Sequence, residues 1–212
     1  MEKSALEKVK EISRRGAKQP DSVTKNDLLF IEKCLTGNDP EIIAGALWAV
    51  GQIGISKPEI VQSHLETAFC HLKNKSSKVR ENALFAIGRT GRAKTKTISQ
   101  RLEDIINMHR DDEPKVRMSM IWCCENIANT NPVLFKEYIT VFESLLDDPD
   151  EKYVRSEAPE IFRVIGKYNP ELVKNSLPKL KEKLNDPCRV TRIHSAGAIR
   201  VIEKNMTGGL KH

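Results

Sequence analysis

Apolar and small residues recur at spacings of three and four along most of the chain, the mark of helices that bury one stripe. One stripe runs from Val79 through Ala83, Ile87 and Thr90, and another from Ile42 through Ala46, Val50 and Ile53. If Val79 and Ile42 are position 0, these are positions 4, 8 and 11. At about 100° per residue they fall within roughly 80° of arc, so this side of each helix faces a core. A second set of amphipathic segments precedes the stripes, and the pattern predicts helices at about 24–36, 59–73, 97–110, 133–147 and 171–185. In the fourth of these the apolar residues are Leu134, Tyr138, Val141, Phe142 and Leu145. Residues 2–14 read as an unpaired amphipathic helix with Leu6, Val9 and Ile12 on one side.

The stripes repeat. From Val79-Arg80, steps of 37, 38 and 37 residues reach Val116-Arg117, Val154-Arg155 and Thr191-Arg192, and one step back reaches Ile42-Ile43. Turn signals precede each: Asp39-Pro40, Ser76-Ser77, Glu113-Pro114, Asp148-Pro149 and Asp186-Pro187. The acid or Ser is expected to cap the helix that follows, with Pro tolerated in its first turn. Lys57-Pro58, Asn131-Pro132 and Asn169-Pro170 close the first, third and fourth units. A fixed period with two helices per unit predicts an all-α solenoid. It reads as one domain over residues 1–212, with a cap at 1–21, repeats at about 22–58, 59–96, 97–132, 133–170 and 171–205, and a tail at 206–212.

The units NSLPKLKEKLNDPCRVTRIHSAGAIRVI and SKVRENALFAIGRTG resemble HEAT repeats, with a D-P turn and a V-R-x-x-A-x-x-A-[LI]-G second helix. The resemblance covers about residues 22–205 and is looser in units three and four. There Glu125 replaces the expected Gly, and Pro159, inside the second helix, is expected to kink it. Ile43 stands in place of the Arg in unit one. The resemblance implies a right-handed α-α superhelix of about five helix pairs plus an N-terminal capping helix, acting as a scaffold for other macromolecules. It also implies that Arg80, Arg117, Arg155 and Arg192 bridge to acidic turn residues of adjacent units, for which Asp39, Glu113, Glu151 and Asp186 are available.

Position 6 lies about 155° from the centre of the buried arc. Trp48, Phe85 and Trp122 occupy it in the first three units, in a chain with only 5% aromatic residues. Such rings either anchor a partner or lie flat over the adjacent repeat and seal its seam. In units four and five position 6 is Glu160 and Gly197, while positions 9 and 13 are Arg163 and Lys167, then Arg200 and Lys204. The second-helix surface is thus expected to be aromatic at its N-terminal end and basic at its C-terminal end. That combination suits a protein or peptide with an apolar segment followed by acidic or phosphorylated groups.

Charge adds a second reading. The net charge is +6, and Lys73, Lys75, Lys78, Arg80, Arg89, Arg92, Lys94 and Lys96 face one anion, Glu81, within 24 residues. A nucleic-acid-binding solenoid using Lys73, Lys75, Lys78, Arg89, Arg92, Lys94 and Lys96 is the alternative. The longest uncharged stretch, Ile42 to Ser56, is too short to span a bilayer, and the N-terminal residues contain no apolar signal-peptide core. Five scattered cysteines without a C-x-x-C pair fit a reducing compartment, so a cytoplasmic location is expected.

No cofactor, metal site or catalytic constellation is expected. Cys123 and Cys124 fall at packing positions, and His64, Cys70, His71 and His109 lack zinc-ligand spacing. HEAT-like hydroxylases carry His-Glu pairs, and this chain has none. HEAT-like DNA glycosylases pair a concave Trp with a catalytic Asp; here the acid nearest Trp122 is Glu125, and none lies within six residues of Trp48. A non-catalytic interaction scaffold is the expectation.

Overall fold

The computed structural model describes residues 4–208, and all regular structure among them is helical. Residues up to Ile105 and residues from Ile106 onward form two compact units.

The first unit opens with α1 (Ala5–Lys18). Ser4 and Glu7 form a reciprocal capping box at its start, and Val9 and Ile12 are buried. It extends four residues past the amphipathic segment read from sequence, while residues 2 and 3 of that segment lie outside the described residues. Helix α2 (Lys25–Leu35) has its own capping box, Thr24 with Asp27. Asp27 then receives Arg15 of α1 at 2.8 Å, and Arg15 also donates to the Ser22 carbonyl. Burial alone would raise the Asp27 carboxyl, but hydrogen bonds from Arg15 and Thr24 outweigh it and hold it below the usual range. Helix α1 packs on α3 (Pro40–Gly54), and α3 packs on α6 (Ser77–Gly91). Gly51 and Gly54 allow that second approach. A Cβ on Gly51 would lie 2.5 Å from the Phe85 ring, and one on Gly54 would lie 3.2 Å from the Thr90 Cα.

The segment expected as one helix over 59–73 is instead α4 (Pro58–Val61), a 3-10 turn and α5 (Leu65–His71). Helix α7 (Thr95–Ile106) follows α6. The second unit contains α8 (Pro114–Ala128), α9 (Ile139–Leu145), α10 (Val154–Tyr168), α11 (Leu177–Glu182) and α12 (Arg189–Gly208). Here too the preceding segments are 3-10, over 132–138 before α9 and over 170–172 and 174–176 before α11. The backbone departs from ideal α-helical angles at Val61 (φ −112°, ψ 0°), Tyr138 (φ −113°, ψ 6°) and Val173 (φ −120°, ψ 2°). All three are β-branched or aromatic residues, whose side chains lose rotamer freedom in a helix. Amphipathic spacing alone does not register that cost. Helix α10 runs without a break through Pro159.

The second helices begin by a device the turn signals do not reveal. Asp39 caps α3 as expected, accepting from the backbone N–H of Glu41 at 2.9 Å. Ser76 and Glu113 make no side-chain cap bond. Instead an Asn or Asp two residues earlier bends the chain: Asn74 accepts from the Ser76 N–H and Asp111 from the Glu113 N–H. Asp148 does the same for Asp150, and Asp186 for Cys188. The repeated arginine locks each turn. Arg80, Arg117, Arg155 and Arg192 donate to the carbonyls of Asn74, Asp111, Asp148 and Asp186 at 2.7–2.9 Å.

Arg117 and Arg155 also reach the next unit. Arg117 grips Asp148 with two bonds of 2.8 and 2.9 Å, and Arg155 lies 3.1 Å from Asp186 and 3.2 Å from Glu151. Asp186 thus serves in the expected role, whereas Glu151 pairs with the arginine of its own unit. The carboxylate that holds Arg117 is Asp148, not Glu113.

Candidate functional site

Position 6 is where periodicity leaves large side chains without a core to fill, and the two tryptophans there are each 43% exposed. In the first unit the Trp48 and Phe85 rings stack at 3.9 Å, 11° from parallel, so α3 and α6 present one continuous aromatic surface. The seam-filling and exposed readings therefore coexist: Trp48 covers the contact with the next repeat and still offers its other face. Arg89 lies over the Phe85 ring at 4.7 Å and approaches the Gln52 amide oxygen at 3.4 Å.

Beside this stack is a groove of about 530 Å³. Leu6, Lys10 and Arg14 of α1 form one wall, Gly45 and Trp48 of α3 the floor, and Lys78 and Asn82 of α6 the other wall. A Cβ on Gly45 would meet Val9 at 3.2 Å, so this glycine keeps α1 close and the floor shallow. Lys10 and Arg14 are exposed, whereas Lys78 is paired with Glu41. The contribution of α1 was not legible from the repeat, because the capping helix has no counterpart in the other units.

In the second unit Trp122 of α8 donates its indole N–H to Glu157 of α10 at 2.8 Å. Glu160 accepts from Arg163 at 2.6 Å. The basic row expected at this end is therefore altered: Arg163 neutralises a carboxylate, and the immediate setting of Trp122 is acidic. Lys167 lies over the Tyr168 ring at 4.9 Å. Arg200 and Lys204 line a shallow cleft along α12 with Leu184 and Ile199. Glu157 escaped sequence reading because it sits 35 residues from Trp122, off the repeat period, and only the packing of α8 on α10 brings them together.

The cations of the nucleic-acid reading separate into two groups. Lys73 and Lys75 precede α6 and Lys78 lies in its first turn, while Arg89, Arg92, Lys94 and Lys96 lie at or beyond its last turn. A helix of this length holds them roughly 20 Å apart. Among the described residues no cluster of His, Cys, Asp and Glu is arranged to hold a metal ion, and no helix is long and apolar enough to cross a membrane. Cys123 and Cys124 are buried, and burial pushes both thiols up, away from the reactive thiolate.

No family model and no curated protein matches the chain. Solved structures do. A designed armadillo repeat protein in complex with the peptide (KR)4 is 22% identical, with a TM-score of 0.76 over 94% of this chain and 92% of that one. An engineered protein gives a TM-score of 0.75 at 20% identity over 96% and 95%. A computationally designed armadillo repeat protein for modular peptide recognition gives 0.66 at 18% over 93% and 98%. The chain has the fold of an ARM/HEAT-like helical-repeat α-solenoid.

Proposed function

We propose that the protein is a non-catalytic scaffold that binds a segment of another protein on the exposed faces of its second helices. In the first unit the segment places an apolar side chain against Trp48 and an acidic group between Lys10 and Arg14. The observation that carries this is the half-exposed Trp48, held rigid by its stack on Phe85 at the floor of a groove with a cationic wall. A pre-ordered ring loses little entropy on binding, and a fixed aromatic beside charged groups supplies both affinity and orientation. The fold supports the reading, since a designed protein of this architecture is seen with a peptide. That peptide is basic, whereas the groove beside Trp48 calls for an acidic one.

Binding of labelled peptides measured by fluorescence anisotropy tests it. A peptide with a Leu or Phe flanked by Asp and Glu should bind, and its Lys-substituted counterpart should not. Trp48→Ala should weaken binding by about 2 kcal/mol, or roughly 30-fold, as for an interface anchor. Lys10→Glu with Arg14→Glu should remove the preference for acid. Unchanged binding in Trp48→Ala would place the site elsewhere. Nucleic-acid binding that collapses as salt is raised, and that survives Trp48→Ala, would favour the basic-surface alternative instead.

A further inference from the structure

We infer that Cys188, at the start of α12, is a site of covalent modification whose thiolate attacks the S–S bond of small disulfides. The site lies in the second unit and does not rest on the peptide reading above.

Three residues before the repeat anchor stand Asp39, Ser76 and Glu113, immediately ahead of α3, α6 and α8. Cys188 takes that place ahead of α12. At Asp39 the side chain accepts from the backbone N–H groups of Glu41 and Ile42. The cysteine meets the same kind of donor. Its carbonyl accepts from the Arg192 N–H at 3.3 Å, which opens the helix, and its sulfur faces the N–H groups of Val190 and Thr191. A thiol is a poor acceptor and a thiolate a good one, so a helix start favours the ionised form.

A second observation points the same way. Thr191 is fully buried, and its hydroxyl has no oxygen or nitrogen partner. What it faces is the Cys188 sulfur. The other units carry Ile42, Val79, Val116 and Val154 at this anchor position, so packing asks for an aliphatic side chain there. A buried hydroxyl without a partner is costly, and a thiolate supplies it with a charged acceptor. The Thr191 N–H, joined by its hydroxyl and the Val190 N–H, holds the Cys188 thiol below its usual range, against burial and the Asp186 carboxylate. The remaining charges around it are compensated or cationic. Asp186 accepts from the Cys188 N–H at 2.8 Å and pairs with Arg155 of α10. Arg192 is bonded to the Asp186 and Pro187 carbonyls, and Arg189 is exposed.

Cys188 is also partly exposed, so a reagent can reach it. In the reaction its thiolate bonds to one sulfur of the disulfide, the S–S bond breaks, and the electron pair leaves on the other sulfur as a thiolate. The disulfide is the oxidant, and solvent carries the proton from Cys188 to the departing thiolate. The other cysteines of this unit, Cys123 and Cys124, are buried, so the mixed disulfide persists until an external thiol removes it.

The test treats the reduced full chain with glutathione disulfide and locates the modified cysteines by peptide mass spectrometry. Cys70 is the internal reference, since it is more exposed but sits in the last turn of α5, away from any helix start. At about pH 6.5 the larger thiolate fraction outweighs the lower intrinsic nucleophilicity, and Cys188 should react about three- to tenfold faster than Cys70. Unfolding in urea should bring the two rates together. Thr191→Val installs the residue of three other units and removes only the hydroxyl. It should slow Cys188 by about two- to fivefold and leave Cys70 unchanged. Cys188→Asp, which restores the residue of the first unit, should fold normally and abolish the fast adduct. A Cys188 rate in the folded chain no greater than that of Cys70 would overturn the assignment. So would a rate indifferent to Thr191→Val, with folding verified by circular dichroism.

Discussion

Gly51→Ala tests whether the aromatic stack is held by the close approach of α3 to α6. In a helix interior, replacing Gly with Ala should stabilise by up to about 1 kcal/mol, since glycine has more backbone freedom to lose. At Gly51 the new Cβ would lie 2.5 Å from both Phe85 Cδ1 and Cε1, and 3.3 Å from the backbone Cα of Ala86. The ring can swing away, but only by leaving Trp48 and Arg89, and the Ala86 contact stays tight afterwards. Overpacking of this kind costs about 1–3 kcal/mol, so the net effect should be a loss of about 1–2 kcal/mol. Gly197→Ala is the matched control. It sits inside α12, and its Cβ meets only an ordinary contact at 3.9 Å, so it should gain up to about 1 kcal/mol. The two variants share their propensity term and differ in the neighbour alone. Thermal unfolding by far-ultraviolet circular dichroism should move Tm by about 2–4 °C per kcal/mol in opposite directions. Near-ultraviolet dichroism should lose the stacked-ring signal in Gly51→Ala only. A Gly51→Ala protein as stable as Gly197→Ala, with its aromatic signal intact, would refute the reasoning.

Asp148→Ala should cost about 3–5 kcal/mol in denaturant unfolding, because it removes the carboxylate bonded to the Arg117 guanidinium in a largely buried setting. The same change removes the acceptor for the Asp150 N–H. His64 is buried, its Nε2 has no partner, and burial lowers its pKa, with Glu32 opposing weakly. Below about pH 6.5 the unfolded chain therefore binds the proton that the native His64 resists. Stability from this group is complete above that pH and lost as pH falls below it; urea midpoints for His64→Leu should show a shallower decline between pH 6.5 and 5.

Position 6 was legible as a surface position because α3 and α8 obey one wheel from end to end. What the wheel could not say is what stands beside each ring. Trp48 meets the next repeat at the same position 6, so its partner Phe85 follows the period. Trp122 meets Glu157 at position 3, a cross-helix contact set by packing. The arginine ladder shows the same division. Its donors fall on the period and were visible, while the carboxylate that holds Arg117 depends on the exact path of the turn at Asp148.

The sequence by itself determined the all-α repeat, the buried stripes and the outward direction of the two tryptophans. Side chains at 3.6-residue spacing must share a face, and a repeated face must be buried by its neighbours. Only the tertiary structure decided that α1 walls the groove at Trp48, that Arg163 is spent on Glu160, and that Glu125 is left buried without a donor. Those outcomes depend on distances of a few ångströms between helices far apart in the chain, and hydrophobic periodicity carries no information at that scale.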